Sequence, residues 1–248
     1  MIVIPIKTHK IIPLKDTDLF SVLDKYVPKL SERSVLAVTS KIISICEGRF
    51  VKADSTNKDD LIAKESEFYI PKEENKFNIT VTIANGMLAA GAGVDESNGD
   101  GYYILWPEDP QKSTNAIREY LKKKFGLKEF GVIITDSKTT PMRWGVTGVA
   151  IAYSGFLPLK DYIGTPDLFG RPFQFEKLSI IDSLASSAVL VMGEGDEQQP
   201  LAIIENAPLV QFTDHNPTRE ELSSIDISID SDVYGSFLKN AEWKKGKK

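Results

Sequence analysis

Three carboxylates stand just after apolar runs, each beside glycine or serine: Asp95 in GAGVDESNGDG, Asp136 in GVIITDS and Glu194 in MGEGDE. Ser137 follows Asp136 directly. Carboxylate and hydroxyl oxygens are the hard donors that Mg²⁺ and Mn²⁺ take, commonly together with substrate phosphates. Neighbouring glycines let backbone approach a phosphate closely. Asp95-Glu96-Ser97-Asn98 packs four cation- or phosphate-competent side chains into one loop. Asp136 ends a strongly hydrophobic strand, where an α/β sheet opens a cleft. Taken singly, each of these residues also fits an ordinary turn or cap, because Asp, Asn, Ser and Gly dominate turns.

Other chemistry is sparse. The only histidines, His9 and His215, are far apart in polar surroundings, so neither a His-dependent nucleophile nor a His-rich zinc site is expected. The single cysteine, Cys46, lies in the apolar run IISIC, which suits a buried, inert thiol. It permits no internal disulfide, which fits a reducing cytoplasm. There is no GxxxxGK[ST] phosphate loop, and GAGVDESNG lacks dinucleotide-fingerprint spacing. Any nucleotide must be held by another route.

These residues need elements to position them. At 248 residues the chain has ample length for a core, as one large domain or two small ones. Thirty basic against 35 acidic residues give a net charge of −5, which argues against a nucleic-acid binder. No apolar run is long enough to span a membrane, and the order of MIVIPIKTHK is the reverse of a secretory signal. Strands are expected within 35–44, 47–53, 79–86, 101–107, 131–137, 148–156 and 200–206, which are β-branched or aromatic and bounded by Gly, Pro or Asn. One helix carries Leu19, Phe20, Leu23 and Val27 on a face, with Asp16 or Thr17 as its cap. A second carries Ile117, Tyr120, Leu121 and Phe125, with Ser113 as cap and Gly126 as stop. A third covers 178–192, and its small residues allow close packing on a sheet. The tail 243–248, WKKGKK, reads as a frayed end. The fold class is α+β, with mixed sheets and packed helices and no regular βαβ rhythm.

In chain order, the segments IIPLKDTDL, VLAVTSKIISICEGR, AGVDESN, YYILWPEDPQKS, GVIITDS, GVAIAYSGF, DYIGTPDLFGR and VLVMGEGDEQQPLAII resemble the γ-glutamyl ligases typified by coenzyme F420-0:L-glutamate ligase. The resemblance covers roughly residues 1–212, with DESN followed by an LxPxDP-type run and then ITD[TS] as its most specific order. It implies a single ligase domain over 1–248 with a two-part fold, and a tightly interlocked homodimer. It also implies an enzyme that joins L-glutamate to a small carboxylate acceptor, using GTP and two divalent ions, Mg²⁺ or Mn²⁺. Carried over residue by residue, Asp95 and Asp136 correspond to ligands of one metal. Ser137 stands where threonine is usual, and Glu194 corresponds to a ligand of the second metal. Asn98, Ser40, Lys41 and the loop Ile12, Pro13, Leu14 and Lys15 correspond to nucleotide contacts. So does the strip that includes Met192, Gly193 and Gly195. Arg143 corresponds to an arginine suited to an anionic acceptor or a phosphate.

Two departures stand out. A nucleotide-contacting lysine falls on Ile45, one helical turn from Lys41. The family run DTxGRPxRxG becomes DSKTTPMRWG, so a substrate-side loop, Lys138 to Trp144, is rewritten. An F420-0-like acceptor is therefore one expectation. A folate acceptor, or a nucleotide-binding homologue without activity, is the alternative.

Overall fold

The computed structural model describes residues 1–248. The chain opens with β1 (Ile2–Ile6), α1 (Leu19–Tyr26), β2 (Ser34–Thr39) and α2 (Ser40–Cys46). Next come β3 (Phe50–Lys52), α3 (Lys58–Glu65), β4 (Phe68–Ile70), β5 (Val81–Ala84), β6 (Met87–Ala90) and β7 (Tyr102–Ile104). The helix α4 (Pro110–Phe125) leads to the long hairpin of β8 (Phe130–Thr140) and β9 (Arg143–Ser154). The ribbon β10 (Leu159–Asp161) and β11 (Lys177–Ser179), α5 (Ile180–Met192) and β12 (Leu201–Glu205) follow. Two short helices, α6 (Arg219–Ser223) and α7 (Gly235–Leu238), precede β13 (Lys244–Lys245).

The main sheet has the order β1-β12-β2-β8-β9. Only β2 and β8 run parallel, with Val38 opposite Ile134 and Thr39 opposite Thr135. Its central strands are apolar on both faces because both faces are covered. Leu36, Val38, Val132, Ile134, Leu201 and Ile203 point to the side packed by α1 and α4. Val35, Ala37, Ile133, Ala202 and Ile204 point to the side packed by α5. The small residues of α5 do allow the expected close approach: Ala185 and Ala188 are fully buried, and a Cβ at Gly148 would lie 2.4 Å from the Ala185 carbonyl. The segment between α2 and α4 supplies β4, β5 and β6, which with the C-terminal β13 form a smaller sheet in the order β13-β4-β5-β6, and it also forms the pair β3-β7. Leu61, Ile62, Ala84, Ala92, Val94, Leu105 and Trp106 form a separate core there. No helix is long and apolar enough to cross a membrane.

All seven expected strands are present, but several boundaries and caps move. The cap of α1 is Asp18, not Asp16 or Thr17; its carboxylate accepts from the Phe20 and Ser21 amides. Asp16 is engaged elsewhere, accepting from the Ile12 amide at 2.8 Å. The cap of α4 is Asp109, with Pro110 in the first turn where a missing N–H costs nothing. Ser113 lies one turn further on and donates to Glu47 at 2.5 Å. Gly126 ends α4 at a left-handed φ of 69°, as expected. Burial pushes the Cys46 thiol up to about 12, so it is inert.

Two corrections are larger. Lys138 to Trp144 is not a loop: β8 continues past Ser137 to Thr140, and β9 starts at Arg143. Nor is the tail frayed. Lys244 and Lys245 pair with Tyr69 and Phe68, and the amides of Gly246, Lys247 and Lys248 donate to Glu67, Ala63 and Ser66. Strand pairing uses backbone groups, so the lysine-rich end of the tail can still dock. A short lysine-rich edge strand also discourages further pairing. Ending the chain at Glu242 should lower Tm by roughly 5 °C, because about 2 kcal/mol of backbone hydrogen bonding is lost. Thermal unfolding followed by circular dichroism checks this, with faster hydrogen exchange expected in Phe68–Ile70.

Candidate active site

Five segments converge on one cleft of about 780 Å³. Its lining includes Ile12 before the Pro13–Lys15 turn, Ser40 and Lys41 at the start of α2, and Asp95 and Asn98 after β6. Asp136 and Ser137 on β8 and Met192 to Pro200 after α5 complete it. The carboxyl end of β2 delivers Ser40, and its parallel neighbour β8 delivers Asp136 at the same level. Ligands of α/β sheets favour such strand ends.

A β-bulge aims the β8 residues. Ile134 pairs with Ala152 but Thr135 pairs with Ala150, so Ile151 is the extra residue. The Ala150 amide donates instead to Asp182 in the first turn of α5, at 3.1 Å. Bulges redirect side chains in this way beside sites. Here the burial along β8 changes from closed core at Thr135 to half-buried at Asp136 and Ser137.

Asp95 and Asp136 sit in opposite electrostatic surroundings. The Lys41 ammonium donates to Asp95 Oδ2 at 2.7 Å and to the Ser97 carbonyl at 2.8 Å. The Ser97 amide and hydroxyl donate to the same carboxylate at 2.8 and 2.9 Å. Burial by itself would raise the Asp95 carboxyl, but Lys41 and Ser97 together hold it below the ordinary carboxylate range. Asp136 has no such cation bonded to it. Its Oδ1 accepts from the Ser137 amide at 2.8 Å and its Oδ2 from the Trp106 indole N–H. Desolvation outweighs those donors, and the nearby Asp95 adds to it, so the Asp136 carboxyl lies above its ordinary value.

The loops close on one another through polar contacts. Ser137 Oγ donates to Glu194 Oε1 at 2.5 Å. Asn98 Nδ2 donates to the Gly195 carbonyl at 2.9 Å, joining the DESN loop to the strip after α5. Glu197 accepts from the Gly195 amide at 2.9 Å, and Thr8 N donates to the Gln198 carbonyl at 2.9 Å.

Of the residues singled out from the sequence, Ile12, Ser40, Lys41, Asp95, Asn98, Asp136, Ser137, Met192, Gly193, Glu194 and Gly195 are brought together. Pro13, Leu14 and Lys15 form the turn next to Ile12 and do not line the cleft. Arg143 is not brought to it either. It is exposed and pairs with Thr140, four strand residues from Asp136, or about 14 Å along the hairpin. Adjacency in sequence to Ser137 does not bring it to the cleft, because an extended strand carries each residue away. Ile45 is a buried wall of the cleft, while Lys41 is committed to Asp95 and Ser97.

Sequence reasoning missed three contributors. His9 lines the cleft between Tyr26 Oη and Asp16 Oδ1, each at 2.7 Å, and so ties the N-terminal segment to α1. Asp182 holds the bulge. Trp106 holds Asp136, and its position in ILWPEDP carries one usable signal: a buried indole N–H needs an acceptor.

The side chains singled out as metal donors, Asp95, Asp136, Ser137 and Glu194, all offer oxygen. No three His, Cys, Asp or Glu side chains converge as a ready-made metal cage. Mg²⁺ commonly binds through one or two carboxylates together with substrate phosphates. The Lys41 ammonium on Asp95 already acts as an internal counter-cation, and the enclosed Asp136 carboxylate lacks one. The residues present therefore suit divalent cations.

Comparison with known proteins places the chain. A family model described as F420-0:Gamma-glutamyl ligase matches residues 6–206. Coenzyme F420:L-glutamate ligase of Methanopyrus kandleri is 39% identical over 193 residues, covering 71% of this chain and 75% of the relative. The enzyme of the same name from Methanococcus maripaludis strain C7 is 37% identical over 211 residues, covering 82% and 80%. That of Methanocaldococcus jannaschii is 36% identical over 202 residues, covering 79% and 78%. Matched over residues 6–206 and 36–39% identical to these relatives over most of its length, the chain belongs to the F420-0:gamma-glutamyl ligase family and is a ligase that forms carbon–nitrogen bonds.

Proposed function

We propose that this protein joins L-glutamate to a coenzyme F420-0-type carboxylate, using GTP and Mg²⁺ or Mn²⁺. The observation that carries this is the gathering of Asp95, Asp136, Ser137 and Glu194 with Ser40, Lys41, Asn98 and the 192–195 strip around one cleft. The relatives' names favour an F420-type acceptor over a folate. The intact set of oxygen donors favours a working ligase over an inactive nucleotide binder.

A carboxylate at neutral pH resists attack by an amine, so it needs activation. An acceptor carboxylate oxygen attacks the γ-phosphorus of GTP, the bond to the β-phosphate oxygen breaks, and GDP leaves. The glutamate amine attacks the resulting acyl phosphate, the carbon–nitrogen bond forms, inorganic phosphate departs, and the amine proton is released. Asp95 and Asp136 would hold one divalent cation, and Ser137 with Glu194 a second near the nucleotide phosphates. Bound cations neutralise charge during phosphoryl transfer. Lys41 supplies a fixed positive charge beside Asp95, and Asn98 keeps the DESN loop on the strip that would wrap the nucleotide.

A homodimer belongs to this reading. Met142 and Trp144 at the β8–β9 tip, and Leu168, Phe169 and Phe175 between β10 and β11, are each at least 86% exposed, large apolar side chains that a second copy would cover. Arg143, on the same hairpin tip, would meet an acceptor in the cleft of a second copy. The chemistry and the lone, unreactive thiol suit the cytoplasm.

Three outcomes test the reading. Asp136→Asn should reduce labelled-glutamate incorporation into F420-0 at least 100-fold, and EDTA should do the same to the unaltered enzyme; full activity in either case would sink the cation assignment. Divalent-cation stabilisation should depend on pH. A carboxyl with a raised folded pKa contributes stability at low pH that is lost as pH climbs from about 4 through its folded value. Asp95, with a lowered one, contributes above about 4 and loses it as pH falls. Mg²⁺ should therefore raise Tm less as pH falls toward the carboxylate range, because protonation of Asp136 begins at a higher pH than for an ordinary carboxyl, and Asp136→Asn should flatten that dependence in thermal-shift scans. Finally, Arg143→Ala should raise the acceptor KM at least fivefold with nucleotide affinity unchanged, and sedimentation should give a dimer. A monomer fully active at micromolar concentration would remove both claims.

A further inference from the structure

Trp106 occupies the open position of the LxPxDP-type run, and the family resemblance assigns it nothing. Its indole is 5% exposed and donates from Nε1 to Asp136 Oδ2. The ring itself is locked. Gly93, at a φ of +71°, leaves room for it: a Cβ there would lie 2.3 Å from the indole. Behind it, Arg49 Nε donates to the Trp106 carbonyl at 3.1 Å. Arg49 is in turn held by Glu65 at 2.8 Å and Glu108 at 3.1 Å.

This arrangement has a consequence for the carboxylate. Ionised Asp136 has two acceptor sites on each oxygen. One fixed donor sits on each: the Ser137 amide on Oδ1 and the Trp106 indole on Oδ2. Together they stop the carboxylate plane from turning and leave one acceptor site free on each oxygen. A donor that belongs to a rigid ring also supports the charged form without moving into the cleft.

We propose that Trp106 is a positioning residue that holds Asp136 ready to bind a divalent cation. The inference rests on the reading of Asp136 as a cation ligand. Outer hydrogen-bond partners of metal ligands typically alter affinity about 10–100-fold. Packing and donation can be separated, because Trp106→Phe keeps an aromatic ring without the N–H. Replacing Trp106 by benzothienylalanine keeps the bicyclic shape and removes only the donor.

The test is Mn²⁺ binding by the full chain, measured from the electron paramagnetic resonance signal of free Mn²⁺, with Tm measured in parallel. Mn²⁺ should also quench an emission component that is absent from Trp106→Phe, since the paramagnetic ion would lie near the indole. Mn²⁺ should bind the unaltered chain and bind both variants at least tenfold more weakly, with Tm of the benzothienyl variant unchanged. If Trp106→Phe unfolds, the benzothienyl variant decides. Binding within twofold of the unaltered chain in that variant would overturn the role of Trp106 and leave the cation reading intact. No Mn²⁺ binding by the unaltered chain would overturn both.

Discussion

Two parallel neighbouring strands cannot be joined by a tight turn, so the pairing of β2 with β8 obliges the chain to leave the sheet and return at its starting end. Here that crossover runs from Ser40 to Glu129 and carries α2, the smaller sheet and α4. Because the excursion starts at the carboxyl end of β2, its first residues, Ser40 and Lys41, stand beside the end of the β8 core at Thr135. The DESN loop then lies where the excursion folds back over that edge, and Lys41 fastens it there through Asp95 and Ser97. The cleft is thus a product of sheet topology rather than of any local motif.

The same geometry creates an electrostatic problem. Asp95, Asp136 and Glu194 all border one concavity, and a buried or half-buried carboxylate is unfavourable without a partner. Asp95 is relieved by an ammonium, Glu194 accepts from Ser137 and has solvent, and Asp136 receives only neutral donors. The oppositely shifted Asp95 and Asp136 follow from that inequality. Perturbed carboxyls of this kind cluster at functional sites because a site must keep charge where a ligand will later compensate it.

Precision comes from groups around the carboxylates. Asp182 takes the amide released by the bulge, Trp106 and the Ser137 amide grip Asp136, and Asn98 links two loops. Each is a directional contact to an element with its own packing, so the cleft has a defined shape before any ligand arrives. The hairpin beyond Ser137 obeys a different rule. Once past the bulge it leaves the core, exposes Met142 and Trp144, and carries Arg143 out of reach of its own cleft.

The sequence by itself determined a good deal. Apolar β-branched runs at 35–44, 131–137 and 200–206 marked the central strands, since such runs need cover on both faces. Gly126 marked the end of α4, and the order of DESN, ITDS and MGEGDE marked the residues that meet in the cleft. Local chemistry suffices there, because burial and backbone conformation select residue types directly. It was insufficient for choosing among adjacent caps, where Asp16, Thr17 and Asp18 are equally suitable and only the path of the preceding turn gives Asp18 the role. It also misjudged WKKGKK, whose order comes from backbone pairing with β4, and the segment after Asp136, whose extension depends on pairing with β9. Only the tertiary structure put Trp106 against Asp136 and Asp182 against the bulge, because contacts between residues dozens of positions apart depend on how elements pack, which no local spacing encodes.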